Sequence, residues 1–189
     1  MKAKTLITKA SLAMAFLLLL SESCKKDTTQ PASNLPVTVP DALKTSPDEI
    51  QVASYYGVGT QNYEAQADPD NPGQAKWVFI EPSANLYDNN GNVVVVHSKG
   101  PVWQYVADGS TVTGIAVANV PSPVASENIP WLLLSNKENG GSGLFTTVNM
   151  IQRLDTRGGL APTTPPSPDM IGTTIKIPYS ALYVFYKKK

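Results

Sequence analysis

The chain holds one cysteine and one histidine in 189 residues. A lone cysteine excludes an internal disulfide. Together the two residues are too few for a usual zinc site built from cysteine and histidine. Charge of one sign is missing as well. Fifteen lysines and arginines balance 15 aspartates and glutamates, so no basic surplus marks a nucleic-acid partner. Past the N-terminal region no stretch of about ten residues keeps a helical hydrophobic period, and 16 prolines oppose long helices. A cofactor loop is lacking too. Gly57-Val58-Gly59-Thr60-Gln61-Asn62 begins like a dinucleotide loop, but Asn62 stands where the third glycine belongs and no βαβ unit surrounds it. It reads instead as a tight turn between two strands. No cofactor and no metal are therefore expected.

What the chain does have begins at the N-terminus. Lys2, Lys4 and Lys9 precede an unbroken apolar run at 12–20, followed by Ser21, Glu22, Ser23 and Cys24. That is the order of a secretory signal. The run is too short for a membrane span, which takes roughly 17–25 apolar residues. Either a peptidase cuts after Ser23, or Cys24 is the lipid acceptor of a bacterial lipoprotein signal. Ser21 stands where leucine is usual, and Glu22 is uncommon there. Cys24-Lys25-Lys26-Asp27 nevertheless resembles lipoproteins of the Bacteroidota. An unpaired cysteine has little structural use in an exported protein, which favours the lipid reading. It places the protein in the cell envelope, anchored to the outer membrane. The resulting plan is a signal at 1–23, a lipidated cysteine with a polar tether at 24–35, a domain at 36–186, and a basic tail at 187–189. Without the signal the chain keeps 12 basic and 14 acidic residues. The partners expected are the membrane, through Cys24, and a small molecule, a glycan or an envelope protein.

The domain reads as all-β, a single antiparallel sandwich or barrel with Pro/Gly-rich loops. Short runs of Val, Tyr, Thr, Phe and Trp predict strands at 50–56, 59–65, 75–80, 93–97, 102–106, 111–117, 131–135, 144–154, 173–177 and 182–186. Asp88-Asn89-Asn90-Gly91 and Asn139-Gly140-Gly141-Ser142-Gly143 predict turns. Residues 41–43 read as a single helical turn, and the proline-dense 163–168 as an extended surface loop. In 144–154, Leu144, Thr146, Val148, Met150, Gln152 and Leu154 share the more apolar face, which predicts that this set faces the core. Ile129 to Leu134 is apolar on both faces, so Trp131 reads as a core anchor in a strand covered on both sides.

Four residues are candidates for a binding site: His97, Trp103, Asp108 and Arg153. Gly100-Pro101 makes a turn that can bring His97 and Trp103 together, and a histidine beside an indole can hold a polar ligand or shuttle a proton. The structural alternative is a hydrogen-bonded histidine at a strand end with Trp103 in the core. Asp108-Gly109-Ser110 reads as a turn, with an acid role for Asp108 as the functional option. Glu81 and Asp108 could form an acid pair for glycoside hydrolysis, with His97 assisting. No Gly-x-Ser-x-Gly elbow supplies a nucleophile. Arg153, if partly buried, needs an acid such as Asp155 or Asp108, or an anionic ligand.

The ordered motifs carry a resemblance. They are His97-x-x-Gly100-Pro101-x-Trp103, Asp108-Gly109-Ser110, Pro130-Trp131-Leu132-Leu133, Ile151-Gln152-Arg153, Thr156-x-Gly158-Gly159 and Pro178-Tyr179-Ser180-Ala181-x-Tyr183-x-Phe185-Tyr186. With Gly59-x-Gln61-x-Tyr63 they resemble an uncharacterised family of exported bacterial and fungal proteins, known only as a domain of unknown function. The resemblance implies a cysteine pair where this chain has residues such as Ala65 and Pro166. A bridge there is typically worth about 2–4 kcal/mol. It implies no substrate, cofactor or catalytic residue. The reading is a membrane-anchored lipoprotein with an all-β binding or structural domain. An envelope or extracellular carbohydrate hydrolase or lyase is the alternative.

Overall fold

A computed structural model describes residues 37–189. Their strands form one eight-stranded antiparallel barrel in which sequence neighbours pair and the first strand meets the last. The strands are β1 (Glu49–Ala67), β2 (Ala75–Tyr87), β3 (Val93–Ser98), β4 (Val102–Tyr105), β5 (Thr111–Val120), β6 (Trp131–Gly140), β7 (Met150–Gly158) and β8 (Thr174–Lys188). The all-β antiparallel domain is present in its barrel form. Helix among the described residues is limited to 3-10 turns at Asp41–Leu43, Leu144–Thr147 and Pro168–Met170. No helix among them is long and apolar enough to cross a membrane.

An up-and-down order alternates its loops between two ends. Loops 68–74, 99–101, 121–130 and 159–173 share the upper end. Loops 88–92, 106–110 and 141–149 share the lower end with the start of β1 and the finish of β8.

Period-two alternation gives the barrel its inside. Leu86, Val95, Trp103, Val112, Leu134, Ile151, Tyr183 and Phe185 are buried together there. Burying one tryptophan removes roughly 150–250 Å², worth about 4–6 kcal/mol. A second apolar layer lies outside the wall, where Leu43, Trp131, Leu133, Leu154 and Val184 pack with Val37 and Val39. The segment before β1 therefore covers the outer face of β5 to β8. The buried Gln152 amide donates to Leu43 O at 2.6 Å and accepts from the Tyr186 hydroxyl at 2.8 Å. This second layer explains the doubly apolar run around Trp131: Leu134 points into the barrel, while Trp131 and Leu133 meet the covering segment.

Three expectations need correction. Residues 57–62 do not turn. They lie in the middle of β1, which runs 19 residues with a bulge at Asn62/Tyr63. The glycines serve close approach instead: a Cβ on Gly59 would sit 2.1 Å from Ser83 O, and one on Gly57 would sit 2.8 Å from the Tyr183 ring. The expected strand at 144–154 splits into the Leu144–Thr147 turn and β7. Within β7 it is Ile151 that enters the barrel core, while Leu154 joins the outer layer. Alternation misassigned the face because both faces are covered. The basic tail is also strand, since Lys187 pairs with Ile50 and Lys188 with Glu49 at the end of β8.

Candidate functional site

The wall of the barrel is uneven. The β3–β4 hairpin is short, so β2 pairs with β3 only from Ala84 to Tyr87. Likewise β4 meets β5 only at Val102–Gln104 against Thr111–Thr113. Above the hairpin, upper β2 and upper β5 face each other across a gap. A cavity of about 560 Å³ fills it. Phe79 and Pro82 line one side, Gly114 and Ile115 the other, and the 99–101 turn forms the sill. Leu132, Leu134, Arg153 and Tyr183 reach it from β6 to β8. Such a volume suits a small molecule.

His97 and Trp103 are direct cross-strand partners at the base of this cleft. Their rings stack with centroids 4.2 Å apart and 6° between planes. Tyr183 meets both edge-on, at 5.4 Å and 5.7 Å. His97 Nδ1 lies 2.9 Å from Val102 O. Burial drives its pKa from 6.5 to about 3, with the Arg153 charge acting the same way. The ring is therefore neutral at physiological pH. A carbonyl can only accept, so Nδ1 carries the hydrogen and Nε2 is left as an acceptor. Trp103 is 1% exposed, and its Nε1–H has no hydrogen-bond partner.

Arg153 is half-buried and lines the same cavity. Its Nε and Nη2 donate to Pro130 O at 3.3 Å and 2.9 Å. Neither acid expected to neutralise it does so. Asp155 accepts from the Tyr56 hydroxyl at 2.8 Å and lies 3.9 Å from Arg157, and Asp108 is committed elsewhere, as below. Next to Arg153, the Tyr183 and Tyr179 hydroxyls are 3.0 Å apart. Burial pushes both phenols up, against the opposing charge of Arg153. Gln61 is 4% exposed, and its amide nitrogen also lacks a partner. The amide is close enough to Tyr179 to favour its ionised form, yet no hydrogen bond forms.

Asp108 is separate from the other three candidates. It sits in the 106–110 turn at the lower end, whereas the cleft opens above the 99–101 turn. Its carboxylate accepts from Ser110 N at 2.8 Å, Ser110 Oγ at 2.5 Å and Leu144 N at 2.8 Å. These bonds hold its pKa below the ordinary carboxylate value. Ser110 Oγ in turn accepts from Phe145 N at 3.0 Å. The pair thus clamps the Leu144–Thr147 turn, which drives the fully buried Phe145 against Phe185, with ring centroids 4.6 Å apart. A Cβ on Gly143 would lie 2.0 Å from Asp108 Oδ2, so the clamp needs glycine there. Glu81 pairs with Asn62 on β2 and does not line the cleft. The proposed acid pair is therefore not assembled with His97. Cys24 lies outside the described residues.

Residues that sequence reasoning missed are Gln61, Tyr183, Lys99 and Lys137, all of which line the cleft. Gln61 was passed over within the supposed turn, and Lys99 lay unremarked between His97 and the Gly100-Pro101 turn. Ala65, one of the two positions where the resemblance implies a cysteine, is paired through its backbone. Ala65 N donates to Thr173 O at 2.9 Å, and Gly172 N donates to Ala65 O at 2.8 Å.

The family model described as a protein of unknown function (DUF3455) matches residues 46–187, from just before β1 to nearly the end of β8. No curated protein and no solved structure matches the chain.

Proposed function

The chain belongs to this family, and we propose that it is an exported, membrane-tethered binding protein whose barrel receives a small molecule in the cleft between β2 and β5. One observation carries this reading. The cleft is largely apolar, yet Arg153 lines it half-buried, with no carboxylate paired to it among the described residues. A partly buried charge without an acid is costly unless a ligand answers it. A ligand seated in the cleft supplies that partner, whereas a purely structural barrel gains nothing from leaving it out. A hydrolase built on Asp108 or Glu81 with His97 is not proposed, because neither carboxylate lines the cleft.

Native mass spectrometry of the protein isolated from its producing cells tests the binding. Wild type is expected to carry a small-molecule adduct that Ala116→Trp, which fills the cleft from an exposed position, loses. Identical spectra for the two proteins would contradict the proposal.

The tether is the second part of the proposal. It is supported by the order Lys2, Lys4, Lys9, apolar run and Cys24, and by the Cys24-Lys25-Lys26-Asp27 sequence. Several acyl chains on one cysteine hold a protein firmly, where one chain holds it only marginally. Cys24→Ser is expected to release the protein from membranes and abolish labelling by a fatty-acid probe. A variant that stays bound and labelled would remove Cys24 as the anchor.

A further inference from the structure

We infer that the ligand of this cleft is an amphipathic carboxylate, its anionic end on Arg153 and its apolar body between Phe79 and Ile115; the inference rests on the binding reading above. The lining side chains include three cations, Lys99, Lys137 and Arg153, and no aspartate or glutamate. None of the three takes part in an ion pair among the described residues. Arg153 meets one backbone carbonyl and the Tyr183 hydroxyl, both neutral, which leaves its charge without an acid.

A neutral ligand would leave a half-buried guanidinium unpaired, and a cation would be repelled. An anion answers the charge. One guanidinium set back in the cleft, with both lysines exposed, matches a single planar carboxylate held by paired N–H groups. Phe79 and Ile115 are 48% and 54% exposed and flank the opening. Together with Pro82 and Leu132 they provide an apolar path for the rest of the molecule.

Isothermal titration calorimetry on the purified full-length protein separates this inference from the reading it rests on. Octanoate serves as the anionic probe and octanol as its neutral counterpart. Octanoate is expected to bind about 10- to 100-fold more tightly than octanol, the worth of a charge-assisted hydrogen bond. Arg153→Met keeps the apolar stem and should abolish that preference while leaving octanol unchanged. In wild type itself, added salt should weaken octanoate and not octanol. Equal affinities for the two probes, insensitive to salt and to Arg153→Met but lost in Ala116→Trp, would overturn the carboxylate and keep the binding cleft. Failure of wild type to bind either probe would overturn both.

Discussion

The two ends of the barrel solve opposite problems. At the lower end the Asp108–Ser110 pair takes up the amides of Leu144 and Phe145 and seats Phe145 against Phe185. Asn139 adds two bonds, donating to Phe145 O at 2.7 Å and Val148 O at 3.0 Å. An exposed carboxylate there serves to close the structure. At the upper end a short hairpin leaves the wall open, and a half-buried guanidinium on the cleft lacks an acid. The lower end uses its charge to hold a turn closed. The upper end keeps a charge facing an open cleft. Asp108 and Arg153 looked like one site in the sequence and have opposite uses in the fold.

Substitutions at each end should separate these roles. The largest loss is expected from Phe145→Ala, about 3–5 kcal/mol for removing a fully buried phenyl ring, measured by denaturant unfolding. Ligand binding at the upper end should persist wherever the variant is folded.

The buried His97 gives the next effect. Unfolded, it titrates near 6.5; folded, near 3. Between those values the unfolded chain binds the extra proton, so stability falls as pH drops and is fully present above 6.5. The loss at pH 5 is about 2 kcal/mol relative to neutral pH. Exposed carboxylates such as Asp108 contribute in the same direction at lower pH. The histidine share is therefore the difference between wild type and His97→Phe, whose stability should fall less between pH 6.5 and 5. Parallel curves would contradict the neutral, buried ring.

Asp108→Ala should lower the thermal midpoint by less than Phe145→Ala does, and leave octanoate affinity unchanged. A binding defect without a stability defect would return Asp108 to the site. Smallest of all, Arg153→Met should change unfolding stability by less than about 1 kcal/mol while removing the preference for octanoate. A large stability loss with unchanged probe binding would make Arg153 a structural residue.

Much of this comparison was legible before the structure. Gly and Asn at 88–91 and 109 announced turns, and β-branched runs announced strands. Ile129 to Leu134 showed that one strand is covered twice. What lay hidden depended on remote pairing. Nothing local to Gly57 or Gly59 says that Tyr183 and Ser83 crowd them, so a close approach read as a turn. The face of β7 was ambiguous because residues 37–43 cover the outside as well. In the sequence Arg153 calls for an acid or an anion. Its partner could not be chosen, because Asp155 and Asp108 are taken by Tyr56, Arg157, Ser110 and Leu144, contacts that only the assembled barrel makes. Gln61 carries no sequence mark, since an amide in a strand gains significance only when its nitrogen is left without a partner.

The most direct test of an open, binding upper end is a nuclear magnetic resonance titration of the full-length protein with octanoate, following the Trp103 indole N–H. That proton is expected to shift as the ligand settles beside the Trp103 ring, together with the Gly114 amide, while the amides of Ser110, Leu144 and Phe145 stay in place. An unmoved Trp103 indole, or shifts centred on the lower end, would contradict the account.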